Sequence, residues 1–146
     1  MKEEQFIVFG LGEEQYIVSI LDIKEIVNYV QPTKVPGVGC HVEGVISLRG
    51  KIIPINNLGK QLGIDTKENS EKRIMIFDFG NHQVGCVVDS VEEVKRFQAS
   101  DIEEAPRDVK GDSDYIKGIA KDGNKLFILI DLKGVLGGLG DNETYN

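Results

Sequence analysis

Phe6-Ile7-Val8-Phe9-Gly10-Leu11-Gly12-Glu13-Glu14-Gln15-Tyr16-Ile17-Val18-Ser19-Ile20-Leu21-Asp22-Ile23-Lys24-Glu25-Ile26 aligns without a gap on residues 74–94 of the same chain. Phe9 meets Phe77, Gly12 meets Gly80, Gln15 meets Gln83 and Glu25 meets Glu93, while Ile20, Ile23 and Ile26 meet Val88, Val91 and Val94. Downstream, Lys51 to Leu58 resembles Lys125 to Leu132, each after a glycine-containing turn and a segment that opens Gly-Val or Gly-Ile. Self-similarity of this kind marks a structure built twice. It predicts one domain over residues 1–146 made of two similar β halves, about 14–64 and 73–130, with the terminal segments free to exchange between them. The polar run from Asp65 to Lys72 has no apolar side chain to bury and reads as their connection.

The apolar signal comes in short runs rich in Val, Ile and Phe, the pattern of many short strands. The clearest are Phe6 to Phe9, Tyr16 to Ile20, Gly44 to Leu48, Lys51 to Ile55, Arg73 to Phe79, Val84 to Val88 and Lys125 to Ile130. Gly10-Leu11-Gly12, Arg49-Gly50, Gly80-Asn81 and Asp122-Gly123-Asn124 supply turns, since Gly and Asn reach positive φ at low cost. Helical spacing is brief. Ile20, Ile23, Ile26 and Val27, with Asp22 and Glu25 placed as a capping box, predict one short helix. Leu58 to Leu62 predicts a second, and a third runs from near Asp131 to Leu136 before a glycine-rich end that reads as fraying.

The chain's 146 residues, 40% hydrophobic and 28% charged, suffice for a core without disulfides. A net charge of −7 repels a phosphate backbone, and aromatic side chains such as Tyr16, Tyr29, Tyr115 and Tyr145 have no basic strand beside them, which speaks against nucleic acid. The start, Met1-Lys2-Glu3-Glu4-Gln5, lacks the pattern of a secretory signal, and the expected location is cytoplasmic. Cys40 and Cys86 read as reduced thiols, Cys86 as a buried one.

Val42-Glu43-Gly44-Val45-Ile46-Ser47-Leu48-Arg49-Gly50 followed by Ile53-Pro54-Ile55, together with Gln5 to Phe9, Ile20 to Ile26, Val35-Pro36 and Val84 to Asp89, resembles the CheW family of chemotaxis adaptors. The resemblance covers Gln5 to about Leu136. It departs at Ser47, where Asn is usual, at Gly39, where Pro is common, and at Asn57 and Gly59, where an Asp-Leu-Arg run is frequent. The resemblance implies a mainly β fold of two packed SH3-like five-stranded barrels with a few short helices. It also implies a non-enzymatic role: coupling the cytoplasmic tips of transmembrane chemoreceptors to a CheA-type histidine kinase, with no cofactor. By the same resemblance Ile20, Ile23, Glu25, Gly44, Arg49 and Val94 belong to the receptor-contact region, and Val35, Val42, Ile46 and Ile53 to the kinase-facing surface.

Physical reading of those positions adds distinctions. Ile20 and Val94 read by spacing as core before contact, and Ile23 as partly exposed. Arg49 projects from a hairpin turn, solvated or in contact, with Glu25 as its charge partner. Strand alternation lets only about half of the kinase-facing set point outward. His41 adjoins Cys40, but neighbours in extended chain face opposite ways, so they make a poor nucleophile and base pair. His82 reads as a solvated turn residue, and Cys40, His41, His82 and Cys86 match no zinc spacing. Gly134, Gly137, Gly138 and Gly140 have no helix after them to make a phosphate loop. The other readings are a small-ligand-binding β-barrel and a CheW-like regulatory domain cut from a longer kinase.

Overall fold

A computed structural model of the chain describes residues 3–65, 71–106 and 115–140, the last four by backbone alone. The connection assigned to Asp65–Lys72 therefore lies mostly outside the described residues, as does Tyr145. Among the described residues eleven strands and two helices follow in order: β1 (Glu3–Leu11), β2 (Glu14–Ser19), β3 (Ile23–Asn28), β4 (Val42–Leu48), β5 (Lys51–Asn57), α1 (Leu58–Leu62), β6 (Arg73–Asp78), β7 (Gln83–Val88), β8 (Ser90–Gln98), β9 (Ile102–Glu103), β10 (Ile116–Asp122), β11 (Lys125–Ile130) and α2 (Leu132–Gly140). Short 3₁₀ turns occupy Ile20–Asp22 and Ala99–Asp101. The molecule is mainly β, as the strand pattern predicts.

The helix predicted from Ile20 to Val27 is absent. Only the 3₁₀ turn forms before the chain becomes β3, which pairs with β6. Ile23, Ile26 and Val27 are β-branched and stiff in χ1, and an edge of β6 offers hydrogen bonds that a short helix cannot match. Val91 and Val94, aligned with Ile23 and Ile26, likewise lie in a strand, β8. The last helix also continues through the glycines to Gly140.

Two sheets form, with strand orders β8-β1-β2-β11-β10-β9 and β3-β6-β7-β5-β4. Mapping β1-β2 on β6-β7 and β10-β11 on β4-β5 makes the orders match over five strands, with β8 standing where β3 stands. The third strand of each repeat, with the hairpin that follows it, therefore sits in the sheet of the other repeat's first hairpin. Register agrees residue by residue: β11 runs parallel to β2 with Leu129 opposite Ile17, and β5 runs parallel to β7 with Ile55 opposite Gly85. Even the outermost pairing repeats. Ile119 of β10 pairs with Glu103, and its counterpart Val45 forms a bridge with Thr33.

By contact the chain divides into one compact unit of Met1–Phe9, Glu14–Ile20 and Glu92–Asn146 and another of Gly10–Glu13 and Leu21–Val91. The first packs Phe6, Val8, Ile17, Phe97, Ala120 and Phe127 in one core, with Phe97 edge-on to Phe6 at 6.0 Å between ring centroids. The second packs Ile46, Ile53, Ile55, Ile74, Ile76 and Val87, an aliphatic core. Gly85 leaves room there for the isoleucines, since a Cβ would stand 2.7 Å from Ile55 Cδ1.

Candidate functional site

In the second unit, β4 and β5 are joined by Arg49 and Gly50, both at positive φ, 52° and 80°. That is the type I′ turn favoured by the twist of a two-residue hairpin. Among the described residues Arg49 is the one non-glycine at positive φ. Asn or Gly would adopt this conformation with less strain, and strained backbone kept in place concentrates at functional sites. Arg49 is exposed, and its Nη1 donates to Glu25 Oε2 at 2.5 Å. The bond and charge of Arg49 hold the Glu25 carboxyl below its ordinary range, and Glu25 in turn raises the guanidinium. Glu25 reaches this position through the register shift between Ile23 and Glu25 in β3. The structure thus joins two residues that the sequence named as charge partners.

Gly44 is buried, with φ of 140° and a position where a Cβ would lie 2.0 Å from the Thr33 carbonyl oxygen. It makes room for the Thr33 bridge and offers no surface of its own. Ile23 is half-buried beside exposed Lys24, and Leu21, 87% exposed, is apolar surface that the sequence reading did not single out. In the first unit Ile20 is half-buried on its 3₁₀ turn and Val94 is 50% exposed on β8. Val94 is therefore not the core residue its spacing suggests: β8 is an edge strand, and its Glu92, Glu93 and Val94 all stay exposed.

The residues named for the kinase-facing surface separate by burial. Ile46 and Ile53 keep 8% and 1% of their surface and belong to the second core, so they have no face left for a partner. Alternation explains this, because Ile46 pairs with Ile53 on the inner face while Ser47 pairs with Ile52, 67% exposed, on the outer. Val35 is exposed and Val42 half-buried, and both line a cavity of about 710 Å³ with Tyr29, Lys34, Val38, Cys40, Glu43, Lys60 and Lys72. Asn57 ties together two of the lining residues, Glu43 and Lys60. Its Oδ1 accepts from Lys60 N at 3.0 Å, capping α1, and its Nδ2 donates to Glu43 Oε2 at 2.7 Å. Glu43 Oε1 also receives the Tyr29 hydroxyl at 3.4 Å, and Lys72 Nζ stands 4.3 Å over the Tyr29 ring.

Cys40 is exposed, whereas Cys86 is buried and its thiol is pushed up to about 12 by desolvation, leaving it inert near neutrality. His41 is half-buried, and its carbonyl accepts from Asn57 N at 2.6 Å. His82 is half-buried and stacked on Phe79 at 5.3 Å, rather than a fully solvated turn residue. No three potential metal ligands come together among the described residues. Nor is any described helix long and apolar enough to cross a membrane.

Exposed aliphatics, an ion-paired hairpin tip and a lysine-rimmed hollow, all on the second unit, are features of a protein that works by docking. The family profile of the CheW-like domain matches residues 5–139. The chemotaxis protein CheW of Bacillus subtilis is 38% identical over 135 residues, 91% of this chain and 86% of its own, and that of Klebsiella aerogenes is 34% identical over 91% of this chain and 81% of its own. The crystal structure of the scaffolding protein TtCheW from Thermoanaerobacter tengcongensis superposes with a TM-score of 0.82 at 37% identity, covering 90% of this chain and 86% of that one. The chain belongs to the CheW-like family and is a chemotaxis scaffolding and coupling protein, a non-enzymatic adaptor.

Proposed function

We propose that the chain couples the cytoplasmic tips of chemoreceptors to a CheA-type histidine kinase, working in the cytoplasm and recruited to receptor arrays at the membrane. The observation that carries this reading is Arg49, kept at positive φ on an exposed hairpin tip and clasped to Glu25. A residue serving only the turn would be Asn or Gly. Ile23, beside that ion pair on β3, supplies apolar area of the kind one face of an amphipathic receptor helix covers. In the first unit Ile20 and Val94 offer apolar surface to the same class of partner. Gly44 keeps the hairpin close to Thr33 and contributes through shape.

For the kinase, Val35 and Val42 are the docking positions, with Ile46 and Ile53 holding the sheet behind them. Micromolar contacts, about −8 kcal/mol each, suffice in an array where effective concentration adds them together. Reconstitution with a CheA-type kinase and a receptor fragment, scored for receptor-dependent kinase activity, tests the reading. Arg49→Glu is expected to abolish coupling while lowering the melting temperature by no more than the small amount an exposed ion pair contributes. Full coupling by that variant would remove Arg49 from the site.

A further inference from the structure

The hollow beside Val35 and Val42 runs against the charge of the molecule. The chain carries −7, yet Lys34, Lys60 and Lys72 rim this cavity against a single lining carboxylate, Glu43. That carboxylate is already engaged by Asn57 Nδ2 and the Tyr29 hydroxyl. Lys34 and Lys60 form no ion pair among the described residues. Lys60 is held at the rim by the capped turn of α1, between Asn57 and the left-handed Gly63. Between the lysines lie Val35 and Val38, 38% and 44% exposed, and half-buried Val42. A solvated lysine cluster serves solubility best when dispersed. Gathered around aliphatic surface on an acidic chain, it complements one particular kind of partner.

Resting on the kinase-facing assignment above, we infer that this cavity receives an acidic anchor of the kinase's regulatory domain. The anchor is an apolar side chain flanked by Asp or Glu. The apolar group enters between Val35, Val38 and Val42, and the flanking carboxylates meet Lys34 and Lys60. Such a contact offsets locally the long-range repulsion that a −7 chain exerts on an acidic partner. It is also sensitive to salt, because exposed charges are screened over about 10 Å at 0.1 M.

The test titrates a CheA-type regulatory domain into the full chain by calorimetry at low and high salt, with a receptor fragment titrated in parallel. Lys34→Glu with Lys60→Glu is expected to weaken kinase binding about tenfold or more at low salt, to lose most of that difference at high salt, and to leave receptor binding unchanged. Val38→Asp should weaken it at both. Lys34→Gln with Lys60→Gln replaces the reversal variant if that one melts early. Kinase binding indifferent to the lysines but lost in Val42→Asp overturns the acidic anchor and keeps the kinase-facing assignment. Kinase binding indifferent to Val42→Asp as well overturns both. Self-association of the chain that disappears in the lysine variants, with kinase binding intact, gives the cavity to a second copy and overturns the inference.

Discussion

The two sheets carry the same joint with different charge. Where β11 passes into α2, Asp131 Oδ1 caps the helix by accepting from Gly134 N at 2.9 Å, and its Oδ2 stands 3.8 Å from Lys117 Nζ. Where β5 passes into α1, the repeat puts Asn57 in the place of Asp131, Lys60 in that of Gly134 and Glu43 in that of Lys117. Asn57 caps as Asp131 does, and its amide donates to Glu43 instead of accepting from a lysine. Leu58 and Leu132, both wholly buried, anchor the two helices alike. The frame is thus fixed by hydrogen-bond geometry and burial, while the charge at each joint is free to change provided both partners change together. Asn57 suits having Glu43 opposite, because its amide donates to that carboxylate where an Asp could not.

The largest effect that tests this equivalence is at the glycines admitting the outermost pairing. Gly44→Ala combines a Cβ 2.0 Å from Thr33 O with a backbone at φ of 140°, and should cost about 3 kcal/mol or more of unfolding free energy. Gly118, its counterpart, lacks the positive φ, and a Cβ there would meet Glu103 O at 2.7 Å. Gly118→Ala should cost less, about 1–3 kcal/mol. Equal losses in urea titrations would mean that the two outer pairings differ in some way other than backbone strain.

Next in size is the joint itself. Asn57→Asp places two carboxylates at hydrogen-bond distance and should destabilise by about 1–2 kcal/mol. Adding Glu43→Lys recreates the arrangement of Lys117 with Asp131 and should recover most of the loss. A double-mutant cycle with no coupling would break the comparison.

The hairpin tips come third. The β10–β11 turn places Gly123 at φ of 64° and has no counterpart to a strained arginine. Arg49→Gly should therefore raise the melting temperature by a few degrees while weakening receptor coupling, a separation of stability from function that a purely structural arginine would not give.

The smallest effect is acid dependence. Because Arg49 lowers the folded-state pKa of Glu25, the pair's contribution is complete above the ordinary glutamate range and is lost as pH falls through the lowered folded value. Wild type and Glu25→Gln should differ in melting temperature at neutral pH and converge in acid. A constant difference at every pH would assign the effect to shape.

Much of this was legible in the chain. The alignment of 6–26 on 74–94, with the echo of Lys51–Leu58 in Lys125–Leu132, contains the duplicated strand order, because alternation, turn glycines and β-branched runs are local properties repeated in register. The Arg49–Gly50 turn and the partnership of Arg49 with Glu25 were readable on the same grounds. Four strands are not legible in the sequence: β3, β8, β9 and β10. Their sequences are polar on one side, or too short, and they become strands only because a neighbour's unpaired edge is there to meet them.

Which sheet each strand joins was decided by tertiary structure alone. Nothing in Ile23–Asn28 says that it will pair with β6 and not with its own hairpin, since edge hydrogen bonds are identical in kind wherever they are offered. The same holds for the outward or inward facing of Ile52 and Ile53, and for Val94, whose exposure depends on what packs over β8. The lysines around Val35, Val38 and Val42 are scattered from residue 34 to residue 72 and form one rim only when β4, β5, α1 and the start of β6 are folded together. Sequence alone determined the repeated β pattern and the chemistry of its turns, because these act between neighbours. Strand exchange, burial and the gathered charges were left to the folded structure, because they depend on residues brought together from far apart.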